Sequence, residues 1–282
     1  LPVLAQTIGF CRTDDGVNIA MATVGQGPVL VKTANWLNHL EHDWQSPIWS
    51  PMLQRLGAKF RLVRYDGRGN GLSDRDVADI SQDGFERDLD AVIGKVDAKR
   101  FALLGLSQGA AAAVAFAARH PDRISRLILY GAYAQGRNRR DSSEDTATAQ
   151  TMLAMIQQGW GNTDSAFMRA YSSLYLSDAS RAHLKSFADM QRLSTSGDVA
   201  TRLRIACDNI DFIALLPKIK VPTLVIHARH DHVASLEQGR LIATRIPGAT
   251  FVTVESENHV PVPDDPAWEK ILSEIETFAA GA

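Results

Sequence analysis

A serine stands between two glycines in Gly105-Leu106-Ser107-Gln108-Gly109. A serine hydroxyl is a weak nucleophile at neutral pH. It attacks a carbonyl only when a base takes its proton and an acid orients that base. The apolar run "FALLGL" (101–106) precedes the serine and the alanine-rich run "QGAAAAVAFAARH" (108–120) follows it. G-x-S-x-G between a strand and a helix forces a turn so tight that the serine backbone is strained and its hydroxyl is lifted above the sheet edge. Side chains at Gly105 and Gly109 would collide with neighbouring backbone, and the alanines let the helix pack closely on the sheet. The bland alternative is a glycine-rich strand-to-helix turn with an incidental serine; the flanking strand and helix weigh against it.

For such a turn the expected chain order is serine, acid, histidine, so both partners are sought downstream. The strand-like run "VPTLVIHA" (221–228) ends in "RHDH", which puts Asp231 just past its carboxyl end. The next run, "TFVTVES" (250–256), ends in "ENHVPVP", which puts His259 in the following loop. The chain between them holds one helix and one strand, so both return to the edge that carries Ser107. Asp231 would orient the imidazole and His259 would act as the base. For the developing oxyanion, the expected donors are the backbone N–H of Gln108 and that of Asn35 in the loop after "PVLVKT" (28–33), with Ala34 as competitor. Trp36 is expected as a wall of the acyl pocket.

The other histidines fit this chemistry less well. His227, His230 and His232 surround Asp231, but a single loop offers no preorganised set of metal ligands. "HLEH" (39–42) has helical ligand spacing and no third ligand nearby, so surface or structural histidines are expected there. His120 and His183 fall in helical patterns and are expected to be solvated. No metal and no cofactor is expected.

The elements that must position these residues alternate. "NIAMATV" (18–24), "PVLVKT" (28–33), "FRLVRYD" (60–66), "FALLGL", "RLILYGA" (126–132), "VPTLVIHA" and "TFVTVES" read as strands. Helical patterns fall between or after them in "SPMLQRL" (50–56), "FERDLDAVIGKV" (85–96), "QGAAAAVAFAARH", "LEQGRLIATRI" (236–246) and "PAWEKILSEIETFAA" (266–280). This alternation implies βαβ crossovers and a mostly parallel sheet. Between residue 136 and about Leu216 the rhythm breaks into helical patterns alone, such as "AQTMLAMIQQ" (149–158) and "DVATRLRIACDNI" (198–210). The economical division is an α/β core at 1–135 and 217–282, with a helical cap inserted at 136–216. Met152, Met155, Trp160, Phe167, Met168, Tyr171 and Tyr175 give that cap apolar bulk, which would line a hydrophobic pocket or simply pack cap helices together.

The chain has 282 residues, 45% hydrophobic and 22% charged, with a formal charge of −2. That is ordinary globular composition, and it gives no electrostatic reason to bind nucleic acid or anionic lipid. Two cysteines, Cys11 and Cys207, are too few for a disulfide scaffold and suggest a reducing compartment. No run approaches the length of a membrane span and no signal-peptide pattern opens the chain. A cytoplasmic location is expected; the chain opens without Met, so a removed leader stays open.

Taken together, "GPVLVKTANW", "RYDGRGNGLSD", "GLSQG", "HARHDH" and "SENHVPV" resemble the α/β-hydrolase superfamily over nearly the whole chain. Within it the chain is similar to enol-lactonase and peroxidase-like esterases. It is more similar still to bacterial hydrolase domains fused to cyclase or DNA-binding regulator domains, through "ANWLNHLEHDW", "GLSQG" and "GR…IPGATFV". The resemblance implies a mostly parallel eight-stranded sheet flanked by helices. It also implies a serine hydrolase that forms an acyl-enzyme on Ser107 from a small or medium hydrophobic ester or lactone. The chain departs from it at Thr33-Ala34, where most relatives carry the His-Gly that supports the oxyanion loop, and at Ala228, where glycine is common. Ligand sensing with little turnover, C–C bond hydrolysis, proton-abstracting lyase chemistry and cofactor-free peroxidation would use the same residues, since fold alone does not set function. A homodimer is left open.

Overall fold

The computed structural model describes residues 4–162 and 165–281, so a few positions of the divisions above lie outside the described residues. Eight strands form one sheet: β1 (Thr7–Arg12), β2 (Asn18–Val24), β3 (Val29–Lys32), β4 (Arg61–Tyr65), β5 (Phe101–Leu106), β6 (Ile124–Tyr130), β7 (Thr223–Ala228) and β8 (Thr250–Val254). Their order is β1-β2-β4-β3-β5-β6-β7-β8. β2 runs antiparallel to both its neighbours and every other pairing is parallel. Seven strands match runs read from the sequence. β1 was not singled out there, because it is an edge strand whose side chains are mostly exposed or half-exposed and carry little apolar signal.

The inner strands are apolar throughout because both faces of the sheet are covered. Alternate residues supply opposite cores. Leu30, Leu62, Leu104, Ile128 and Ile226 pack on one side with helices α2 (Ser50–Lys59) and α10 (Trp268–Ala280). Val31, Val63, Leu103, Leu127, Leu129 and Val225 pack on the other with α3 (Gln82–Ile93), α4 (Gly109–Arg119) and α9 (Leu236–Arg245). The remaining helix of the first third, α1 (Leu40–Gln45), is short and begins at His39, whose Nδ1 accepts from the His42 N–H.

Between β6 and β7 the chain forms only helices: α5 (Ser143–Gly159), α6 (Ala166–Tyr175), α7 (Arg181–Ser194) and α8 (Gly197–Asp208), with short 3-10 turns at Arg137–Arg139 and Ile213–Lys218. The segments by which the chain leaves and re-enters the core are tied together at the base. Gly136 N–H donates to Ile210 O at 2.8 Å and Phe212 N–H to Ala134 O at 3.0 Å.

The strand order also places the site. After β3 the chain adds β4 on one side and, later, β5 on the other, so the sheet changes winding direction between β3 and β5. The crevice beyond the carboxyl ends of strands at such a switch point is where ligands bind in open α/β sheets. The loop beginning at Thr33 and the turn at Ser107 form its two lips.

Candidate active site

Ser107 follows β5 directly and has φ +51°, one of two non-glycine residues with positive φ among the described residues. An L-residue in this region costs roughly 1–2 kcal/mol, so surrounding contacts must hold it there. Ser107 N–H donates to Tyr130 O at the end of β6 (2.9 Å), and Ser107 O accepts from Ala110 N–H at the start of α4 (3.1 Å). The close packing expected of the two glycines is present. A Cβ on Gly105 would lie 2.9 Å from Ala110 Cα, and one on Gly109 only 2.3 Å from Ala34 O and Thr33 Oγ1.

Asp231 and His259 lie past the ends of β7 and β8 and meet there. His259 Nδ1 is 2.6 Å from Asp231 Oδ2, and both side chains are almost fully buried. The other carboxylate oxygen, Oδ1, accepts from the N–H groups of Val233 (2.7 Å) and Ala234 (3.0 Å). Burial pushes the Asp231 carboxyl up, but the imidazole of His259, that of His227 and the Ala234 N–H outweigh it, so its pKa falls below the ordinary aspartate value. An ionised Asp231 is thus available to orient a neutral or protonated imidazole.

His259 is itself pinned by groups that its sequence neighbourhood does not announce. Its backbone N–H donates to Tyr175 O at 3.0 Å, and the Tyr175 ring meets the imidazole edge-on at 5.6 Å. The loop carrying it is braced by Asp265, which accepts from Asn258 Nδ2 (2.9 Å) and from the Ser256 hydroxyl. Gly131, one residue past β6, has φ +56° and packs against the imidazole; a Cβ there would sit 3.1 Å from His259 Cε1. Since Tyr130 receives the Ser107 N–H and Gly131 packs against the imidazole, His259, carried past β8, reaches over the end of β6, next to the serine at the end of β5. No hydrogen bond joins Ser107 Oγ to His259 among the described residues.

The oxyanion loop differs from the expectation. The Asn35 N–H donates to Asn38 Oδ1 at 2.9 Å, so the leading candidate donor is already engaged within its own loop. The backbone of Ala34, its competitor, lies beside the Tyr65 hydroxyl. The reason lies below. Lys32, 3% exposed, donates from Nζ to Asn35 Oδ1 (2.6 Å) and Thr33 O (3.2 Å), which turns the Asn35 side chain inward and lets Asn38 close over its backbone. Gln108, at the start of α4, is the other expected donor; its N–H has no backbone acceptor among the described residues.

Helices of the β6–β7 insert close the crevice. Trp36 is buried against Trp160 (ring centroids 6.4 Å apart) and Tyr171 (5.8 Å), and its Nε1 donates to Gln191 Oε1 at 3.2 Å. The Arg204 guanidinium lies over the same indole at 5.5 Å. A small cavity of about 20 Å³, enough for roughly one water, lies between the oxyanion loop, Gln108, Leu203 and Cys207. Two expectations about the insert fail. His183 is buried rather than solvated, because α7 turns it inward beside Asp264. Phe167 is 46% exposed and contributes nothing to an interior wall. His227 is fully buried with Nε2 2.8 Å from Ala234 O, a structural contact, and burial lowers its pKa. No cluster of three or more histidine, cysteine or acidic side chains suited to a metal occurs among the described residues, and no helix among them is long and apolar enough to cross a membrane.

Residues 37–266 match the model of a family described as alpha/beta hydrolase fold. Over 272 residues, covering 96% of this chain and 98% of the relative, the sequence is 25% identical to an AB hydrolase superfamily protein, YisY, of Bacillus subtilis. It is 26% identical to a pimeloyl-[acyl-carrier protein] methyl ester esterase of Neisseria meningitidis, across 86% of this chain and 74% of that one. The structure superposes on an esterase from Exiguobacterium antarcticum with a TM-score of 0.80 at 20% identity, covering 97% of this chain and all of the other. The family match spans most of the sequence, and the eight-stranded, mostly parallel sheet flanked by helices agrees with it: the chain belongs to the α/β-hydrolase family.

Proposed function

We propose that the protein is a serine hydrolase that cleaves a small or medium ester or lactone with an apolar body. The observation that carries this reading is the left-handed backbone of Ser107, held at the carboxyl end of β5 beside a buried Asp231–His259 pair. Strain of this kind persists only where surrounding structure imposes it, and it concentrates at functional sites. The likeness to a methyl ester esterase over most of both chains supports the same reaction class.

In this reading His259 accepts the Ser107 proton as Oγ attacks the carbonyl carbon. Asp231 fixes the tautomer and stabilises the imidazolium. The Gln108 N–H stabilises the oxyanion, with a second N–H from the 34–36 loop once Asn38 yields to the substrate oxygen. Collapse expels the alcohol, which takes its proton from His259, and water then attacks the acyl-serine by the same route. Removal of one oxyanion donor costs about 3 kcal/mol in such sites. The helices between β6 and β7 form the cap that shapes the acyl pocket.

One observation favours a second reading, a domain that binds such a ligand without turning it over: the Asn35 N–H is already spent on Asn38. Exposure to a fluorophosphonate probe and to p-nitrophenyl esters separates the two. Covalent labelling and turnover, both lost in Ser107→Ala, support the hydrolase. Saturable ligand binding without labelling or turnover supports the sensor, and a Ser107→Ala protein with full turnover removes the serine mechanism altogether.

A further inference from the structure

Above the site, α8 and the 3-10 turn at Arg137–Arg139 together bury two arginines against one aspartate. Arg204 grips Asp208 with two donors, Nε to Oδ2 at 2.9 Å and Nη2 to Oδ1 at 2.8 Å. Arg137 approaches the same carboxylate at 3.5 Å, and all three side chains are at most 7% exposed. Two guanidinium groups therefore share one carboxylate. Arg137 has a further acceptor in Val233 O at 2.6 Å. Asp231, the nearest carboxylate in that loop, is committed to His259, Val233 and Ala234.

The donors also outnumber the acceptors. The Arg204 Nη1 group has one long contact, 3.5 Å to the Tyr175 hydroxyl. Tyr171 and Tyr175 share a single hydrogen bond at 3.1 Å, so one of their two O–H hydrogens has no acceptor among the described residues. Buried donors without acceptors cost about 1–3 kcal/mol each and are normally satisfied. Burial works against the Arg204 charge, but the Asp208 carboxylate outweighs it and the group stays protonated. This donor-rich, cationic spot adjoins the reacting centre: the Tyr175 ring abuts His259, and Arg204 lies on the indole of Trp36, beside the oxyanion loop.

We propose that the substrate's acyl group ends in a carboxylate, which Arg204 Nη1 and the Tyr171 and Tyr175 hydroxyls receive. This rests on the ester-cleaving reading above and narrows it to half-esters or lactones of dicarboxylic acids, apolar along the chain and anionic at its end. With its fork on Asp208, Arg204 offers Nη1 as a single charged donor beside the two hydroxyls, and charged hydrogen bonds to a carboxylate are the strong ones.

The test compares mono-p-nitrophenyl glutarate with p-nitrophenyl valerate, which differ mainly in the terminal carboxylate. The wild type favours the glutarate ester in kcat/KM by roughly tenfold or more, and Arg204→Met lowers that ratio by roughly 10- to 100-fold. Asp208 keeps Arg137 in that variant, so no orphan charge is created. Should Arg204→Met not fold, Tyr171→Phe reads the same ratio, with a several-fold loss. A wild type without the preference, or a ratio unmoved by these variants, overturns the proposal while hydrolysis of the valerate ester leaves the parent reading standing. If neither ester is cleaved, the parent reading falls and calorimetric titration with glutarate decides alone. Binding weakened at least tenfold in Arg204→Met supports the carboxylate site; no binding, or binding indifferent to Arg204, ends it.

Discussion

Asp231 divides its carboxylate between two tasks, Oδ2 at 2.6 Å from His259 Nδ1 and Oδ1 on the N–H groups of Val233 and Ala234. The second task fixes the first, because an oxygen held by two backbone donors leaves the other with one direction to point. Asp231→Asn keeps a carbonyl oxygen for the backbone donors and presents an amide to the imidazole, which forces the wrong tautomer. We expect kcat/KM for p-nitrophenyl esters to fall by about 10⁴-fold with the far-ultraviolet spectrum unchanged. A loss under tenfold would mean that Asp231 does not orient the base.

The strain at Ser107 can be read directly. Ser107→Gly removes the side chain that makes φ +51° unfavourable, offset in part by the greater freedom of glycine in the unfolded chain. A net gain of about 1 kcal/mol, or roughly 2 °C in Tm, should accompany complete loss of turnover. A variant that melts below the wild type would show that the turn is not strained.

Gly131 sets how far the imidazole can retreat. Its φ is +56°, and a Cβ would stand 3.1 Å from His259 Cε1 and 3.3 Å from Nδ1. Gly131→Ala should move the ring by a few tenths of an ångström and cost about 1 kcal/mol of stability from the backbone alone. Displacement of a catalytic group by about 1 Å can cost 100-fold, so a fall in kcat of about tenfold with little change in KM is expected. Unchanged kcat would place the imidazole outside the reacting geometry.

Lys32 gives the protein a pH signature. Its buried ammonium supports Asn35 and lies 5.4 Å above the Trp49 ring. Burial lowers its pKa from 10.5 to about 7; Asp43 and Asp66 act to raise it and Arg64 to lower it. The folded pKa is below the unfolded one, so between about pH 7 and 10.5 the unfolded chain binds more protons. Stability from this group therefore rises with pH across that window, and its cost is fully present below pH 7. Asp66, which burial raises to about 7, titrates in the opposite sense at lower pH and leaves the upper window clear. Relative to Lys32→Met, the wild type should gain Tm between pH 7.5 and 10. Parallel melting curves across that range would refute the assignment.

Read alone, the sequence determined whatever depends on near neighbours. The alternation of apolar runs specified seven of the eight strands, and the flanking glycines marked the turn at Ser107. Asp231 and His259 were visible because each follows a strand of the same parallel sheet, where chain order maps onto position. Tertiary structure decided the rest. The Asn38 hold on Asn35 depends on a lysine buried below the loop. The carbonyl of Tyr175 braces a histidine 84 residues away, and Arg204 meets Trp36 only because α8 folds down over the switch point. Helical periodicity in α7 gave no sign that His183 would turn inward, nor in α6 that Phe167 would face solvent. Periodicity reports that a helix has a buried face. Which partner that face meets is set by packing between segments far apart in the chain, and local pattern carries no record of it.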